Sequence, residues 1–171
     1  IKSITTGTFA FFASNSIIRC DSINIGAVIY GKAALKANTT GAKNTAIGQD
    51  ALDSNTTASF NTAVGSDALG LNTTGENNTA MGKNALESNV GGDLNTAVGK
   101  NALGANTTGT NNVAVGYGTL LDNTTGDYGI AIGYNAMANN TTADFNVGIG
   151  GFALETNTTG ASNTAQLVIR L

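Results

Sequence analysis

The chain holds 171 residues with a formal net charge of −3, no Pro, Trp or His, and a single Cys. Without His, and with one thiol, the Ser-His-Asp and Cys-His arrangements of acyl transfer and His- or Cys-clustered zinc sites are excluded. Scattered Lys and Arg give no basic stripe for nucleic acid and no polybasic membrane patch, while 41% hydrophobic and 11% charged residues argue for an ordered chain.

Residues 1–26 belong to no repeat and carry Phe9, Phe11, Phe12, Ile17, Ile18, Ile23 and Ile25, apolar and strand-forming. The run from Thr8 to Ala13 is far short of the ~20 apolar residues of a membrane span. Cys20 has no intrachain partner, leaving a buried inert thiol or a bond between chains. Ile1 in place of Met points to a processed or trimmed chain. The segment reads either as a hydrophobic plug over the first coil or as a docking strand for a second chain.

From residue 27 to 162 one pattern returns every seventeen residues without insertion or deletion. Asn44-Thr-Ala-Ile-Gly48 recurs as Asn61-Thr-Ala-Val-Gly65, Asn78-Thr-Ala-Met-Gly82, Asn95-Thr-Ala-Val-Gly99, Asn112-Val-Ala-Val-Gly116, Gly129-Ile-Ala-Ile-Gly133 and Asn146-Val-Gly-Ile-Gly150, after a weaker copy at Ala27-Val-Ile-Tyr-Gly31. Counting from that Asn, the fifth position is Gly throughout, the eighth Ala except for Thr119, the ninth Leu except for Met137, and the twelfth Asn throughout. An uninterrupted period means stacked copies of one backbone unit, each burying its apolar face on the next. Seventeen residues are too few for two helices and their turns, and the short Val, Ile and Thr stretches suit strands. The expected fold is all-β, a parallel β-solenoid of about eight coils, each with two short strands and two turns. Eight coils at the strand spacing of ~4.8 Å make a rod roughly 40 Å long.

Two assignments of the strand faces remain open. If the third-position Ala and ninth-position Leu fill the coil, the second and fourth positions form an outer apolar stripe that wants a partner. Its candidate members are Val64, Met81, Val98, Val113, Val115, Ile130, Ile132, Val147 and Ile149. If instead the second and fourth positions point inward, the solenoid is monomeric. Thr45, Thr62, Thr79 and Thr96 make the stripe less apolar in the earlier units.

The twelfth-position column can form an amide ladder or serve turn chemistry. Seven of its members also sit in Asn-x-Thr sequons, Asn38, Asn55, Asn72, Asn106, Asn123, Asn140 and Asn157, and are candidate N-glycosylation sites. Neighbouring sugars at one coil spacing would crowd. Repeated carboxylates at the seventh position, Asp50 and Asp67, and at the sixteenth, Asp127 and Asp144, read as surface ladders rather than a glycosidase dyad. The paired Thr are adjacent and point apart, which suits no flat ice-binding array. No catalytic, cofactor or metal residues are expected.

The final segment, 163–171, opens a ninth unit at Asn163 and ends in an apolar strand, Leu167-Val-Ile-Arg-Leu171. It reads as a plug, or as a strand that completes the next chain in a head-to-tail fibre.

Asn-Thr-Ala-Val-Gly followed three residues on by Ala resembles the head repeats of trimeric autotransporter adhesins and related repeats in viral tail fibres and environmental surface proteins, in a seventeen-residue variant. The resemblance covers residues 27 to 166. It implies a left-handed β-roll, three chains side by side and a Val/Ile face at the trimer axis. Together these readings lead to a non-enzymatic, extracellular or virion- or cell-surface structural element that self-associates as a homotrimer or head-to-tail fibre. The alternative is an adhesin head that binds a host receptor or carbohydrate. Neither nucleic acid nor membrane insertion is expected.

Overall fold

The computed structural model describes residues 26–166, so Cys20, the apolar residues of 1–25 and the end of the terminal strand, 167–171, lie outside the described residues. Within them every regular element is a three-residue strand: β1 Val28–Tyr30, β2 Thr45–Ile47, β3 Thr62–Val64, β4 Thr79–Met81, β5 Thr96–Val98, β6 Val113–Val115, β7 Ile130–Ile132, β8 Val147–Ile149 and β9 Thr164–Gln166. They form one parallel sheet in chain order. Each residue pairs with the one seventeen positions later, as Ala80 with Ala97. The period in the sequence is thus the pitch of a β-solenoid, and coils are numbered here by their strands.

The strand faces resolve in favour of an inward third position. Ala46, Ala63, Ala80, Ala97, Ala114 and Ala131 are fully buried, and so are Leu52, Leu69, Leu86, Leu103, Leu120 and Met137 from the ninth position. From coil 2 to coil 7 an Ala fills the space between the strand and the opposing side chain, whereas the end coil holds Ile29 there, 3% exposed. Coils 7 and 8 illustrate the fit: the longer, unbranched Met137 of coil 7 coincides with Gly148 in place of Ala, and a Cβ on Gly148 would lie 2.8 Å from Met137 Cγ. Close packing couples the two columns, since an interior with almost no voids passes extra volume at one site to its neighbour.

Each coil holds one strand, not the expected two. The Ala-Leu half is a run of turns, and no helical turn starts there. In coil 4 the Ala85 N–H donates to the Gly82 carbonyl at 3.3 Å and the Asn89 N–H to the Leu86 carbonyl at 3.1 Å. Asn84 (φ 59°) and Leu86 (φ 52°) both adopt the left-handed region, which breaks any extended or right-handed run. In six of the eight coils the seventh position takes Asp50, Asp67, Asn84, Asn101, Gly118 and Asn135, residue types that tolerate this conformation, while Ala33 and Phe152 adopt it in the end coils. The ninth-position Leu does so at a cost of about 1–2 kcal/mol, offset by its complete burial and by a coil-to-coil bond such as Leu86 N–H to the Ala102 carbonyl at 3.0 Å. Stacking hydrogen bonds therefore continue around the turns, well beyond the three strand residues.

Two amide ladders run through the interior. At the twelfth position Asn106 Nδ2 donates to Asn89 Oδ1 at 2.8 Å and to the Gly109 carbonyl at 3.0 Å, and Asn123 Nδ2 repeats the pattern on Asn106 Oδ1 at 2.9 Å. At the first position Asn78 Nδ2 donates to the Gly92 carbonyl at 2.8 Å, while its Oδ1 accepts the Asn95 N–H at 2.9 Å. Buried polar groups that would be costly alone thus become coil-to-coil links.

Candidate functional site

With Ala, Leu and Asn inside, the second and fourth positions face outward on all the strands. Val64, Met81, Val98, Val113, Val115, Ile130, Ile132, Val147 and Ile149 lie together on this outer face, half-buried or exposed. Met81, Ile130, Ile132 and Ile149 are 39–45% exposed despite being apolar. The face changes along the rod: Thr occupies the second position in β2 to β5, whereas Val113, Ile130 and Val147 occupy it in β6 to β8.

Rows of exposed side chains flank the strands on both sides, and the sequence reading missed them. Before the strand, the seventeenth position carries Lys43, Phe60, Asn77, Leu94, Asn111, Tyr128 and Phe145, all in the left-handed conformation. After it, the sixth position carries Lys32, Gln49, Ser66, Lys83, Lys100, Tyr117 and Tyr134; in coil 8 it is Gly151, and Phe152 at the seventh position is exposed beside it. Identity at the seventeenth column varies so much that only its dihedral and exposure are shared, and no residue-type pattern marks it. Stacking aligns the aromatic rings along the rod. Tyr128 and Phe145 are 4.9 Å apart at 4°, Tyr117 and Tyr134 are 5.2 Å apart at 8°, and Phe152 meets Tyr134 edge-on at 5.2 Å. Lys43 lies 5.0 Å from the Phe60 ring centre and Lys100 5.7 Å from that of Tyr117.

Charge is segregated around this face. Lys32, Lys43, Lys83 and Lys100 stand in the flanking rows, while the fifth described lysine, Lys36, pairs elsewhere with Asp53 at 3.4 Å. Just outside the seventeenth-position row runs a column of acids, Glu76, Asp93, Asp127 and Asp144. Three of these carboxylates also hold the stack: Asp93 accepts the Glu76 N–H at 2.7 Å, Asp127 the Thr110 N–H at 2.6 Å and Asp144 the Asp127 N–H at 2.8 Å. That engagement explains the repeated acids as ladder rungs. Among the described residues no group of three or more His, Cys, Asp or Glu is placed to hold a metal ion, and no helix is long and apolar enough to cross a membrane.

The candidate sequon asparagines sit inside the coil rather than on a surface turn. Asn55, Asn72, Asn106, Asn123 and Asn140 are at most 1% exposed, and each Nδ2 donates both to a twelfth-position neighbour and to the carbonyl three residues on. Asn38 and Asn157, in the end coils, are partly buried and donate to the Gly41 and Gly160 carbonyls. A sugar on a mid-rod Nδ2 would displace a ladder bond and find no room in the folded coil. The fourteenth-position hydroxyls of Thr57, Thr74, Thr108, Thr125 and Thr142 are the exposed members of that turn.

The outer strand face with its two flanking rows is thus apolar and aromatic in coils 6 to 8 and threonine- and lysine-bearing in coils 2 to 5, with Val28 and Tyr30 exposed in coil 1. No family model, curated protein or solved structure matches the chain.

Proposed function

We propose that this chain is a non-enzymatic structural element of an extracellular or virion-surface fibre, a β-solenoid rod that associates with further copies of itself through its outer strand face. The observation that carries the reading is the outward row of Val, Ile, Met, Tyr and Phe over successive coils. The interior is already filled by Ala and Leu and most of its amide groups are paired, Asn84 Oδ1 and Asn140 Oδ1 excepted, so folding does not require that outer row. A contiguous apolar strip of this length exceeds what solitary soluble chains usually expose. Placement outside the cell rests on the likeness of the repeat to surface-fibre repeats.

An adhesin head that stacks sugars on its aromatic rows is the second reading, and ring orientation weighs against it. Rings stacked at 4–8° along the rod turn their faces toward each other and their edges toward solvent. Sugar stacking needs an open ring face.

Sedimentation velocity across a concentration series tests the proposal, and a monodisperse monomer at all concentrations refutes it. Ile132→Lys places a charge in the middle of the strip without touching the core. It is expected to weaken self-association at least about tenfold while shifting unfolding stability by less than about 0.5 kcal/mol.

A further inference from the structure

Opposite charges lie across the strand within single coils. In coil 4 Glu76 precedes the strand and Lys83 follows it; in coil 5 Asp93 and Lys100 do the same; in coil 2 the order is reversed, with Lys43 before and Asp50 after. No described coil carries the same charge on both edges. Coils 7 and 8 have Asp127 and Asp144 on the leading edge with no lysine opposite, and they place aromatics on both edges, Tyr128 with Tyr134 and Phe145 with Phe152. Apart from Lys36 with Asp53, no lysine makes an ion pair among the described residues.

We infer that the partner on this face is a second copy of the chain lying parallel and in register, the leading edge of each strand row meeting the trailing edge of its neighbour. The inference rests on the self-association proposed above and adds its orientation, register and specifying residues. In that arrangement Lys83 meets the neighbour's Glu76, Lys100 its Asp93 and Lys43 its Asp50, while the aromatic edges of coils 7 and 8 meet each other. An antiparallel pairing at full overlap of the nine strands sets β5 on β5, with Lys100 on the neighbour's Lys100 and Asp93 on its Asp93, like on like. Shifting the antiparallel register to centre between coils 3 and 4 relieves that clash but leaves the aromatic coils 7 and 8 uncovered. The face measures roughly 40 Å by 20 Å, about 800 Å² per partner, which matches a standard specific interface. Rim charges of this kind set register and partner choice more than raw affinity.

Lys83→Glu with Lys100→Glu is expected to weaken self-association at least about tenfold, through two like-charge contacts per edge. Adding Glu76→Lys to the Lys83→Glu single variant should recover most of the loss that single variant shows. Glu76 suits the exchange because its carboxylate takes no part in the ladder bonds. Zero-length carbodiimide coupling of the unaltered protein, mixed with an isotopically labelled copy, should yield interchain amides Glu76–Lys83 and Asp93–Lys100. Association that survives the double reversal unchanged, or interchain amides that join other pairs instead, overturns the register while leaving self-association intact. A monomer under all conditions overturns both.

Discussion

Replacing Gly82 with Ala is expected to cost more than about 3 kcal/mol, enough to split the rod's cooperative unfolding near coils 4 and 5. The fifth-position glycines all have φ between 115° and 144°, a region that L side chains rarely adopt. More decisive is what the added methyl meets. A Cβ on Gly82 lies 2.5 Å from the Gly99 carbonyl oxygen, 2.6 Å from its carbon and 3.1 Å from the Lys100 nitrogen. Those are backbone atoms of the next coil, themselves stacked on the coil beyond, so they have nowhere to move. Gly91→Ala is the contrast. Its φ is not positive, its Cβ would meet only the Thr74 hydroxyl at 3.3 Å, and Thr fills that position in the other coils. It should fall within about 0.5 kcal/mol of the parent. Urea denaturation of both variants, with hydrogen exchange resolved by coil, distinguishes a local steric break from a general glycine effect. Equal effects from the two substitutions would refute the close-approach argument.

The same columns tell how far the sequence could be read. A strict period of short β-branched stretches carries the solenoid, because it follows from geometry that any stacked strand must obey, whereas the period alone fits either face assignment and only the packed coil settles the inward Ala. The missing second strand has a different cause. Leu86 in a left-handed conformation is unfavourable locally and persists only because the core buries the side chain and the next coil bonds its backbone; nothing in the identity Leu announces that. Asn carried the opposite difficulty. The twelfth-position column fits an amide ladder and turn chemistry equally well in sequence, and the stack makes it a ladder in which each amide meets the next, so a polar residue becomes a core residue. Neighbouring coils supply that partnership, and one repeat in isolation could not. The aromatic rows needed three dimensions as well: Tyr128 and Phe145 are seventeen residues apart and become neighbours only through the pitch.

Converting Asn106 to Asp should be the most damaging isosteric change available in the rod, at about 3–5 kcal/mol near neutral pH. The two residues have the same shape, so packing is unchanged and the effect isolates hydrogen bonding and charge. Asn106 is fully buried, and its Nδ2 faces two acceptors, Asn89 Oδ1 and the Gly109 carbonyl. A carboxylate oxygen in that place donates to neither: Asn89 Oδ1 loses its ladder donor, the Gly109 carbonyl keeps only the Asn95 Nδ2 bond at 2.8 Å, and both face a buried charge. Protonation returns one donor, so the folded-state pKa of the new acid is raised above its unfolded value. The penalty should therefore be largest above that raised pKa and shrink as pH falls through it. Asn157→Asp supplies the reference. Asn157 is partly buried, has one ladder acceptor, the Gly160 carbonyl at 2.7 Å, and lies in the end coil where water reaches it. Its cost should stay near 1 kcal/mol with little dependence on pH. Denaturation midpoints for both variants between acid and neutral pH test the amide ladder directly. If Asn106→Asp is as mild as Asn157→Asp, the twelfth-position amides do not hold the coils together, and the surface-turn view of that column returns.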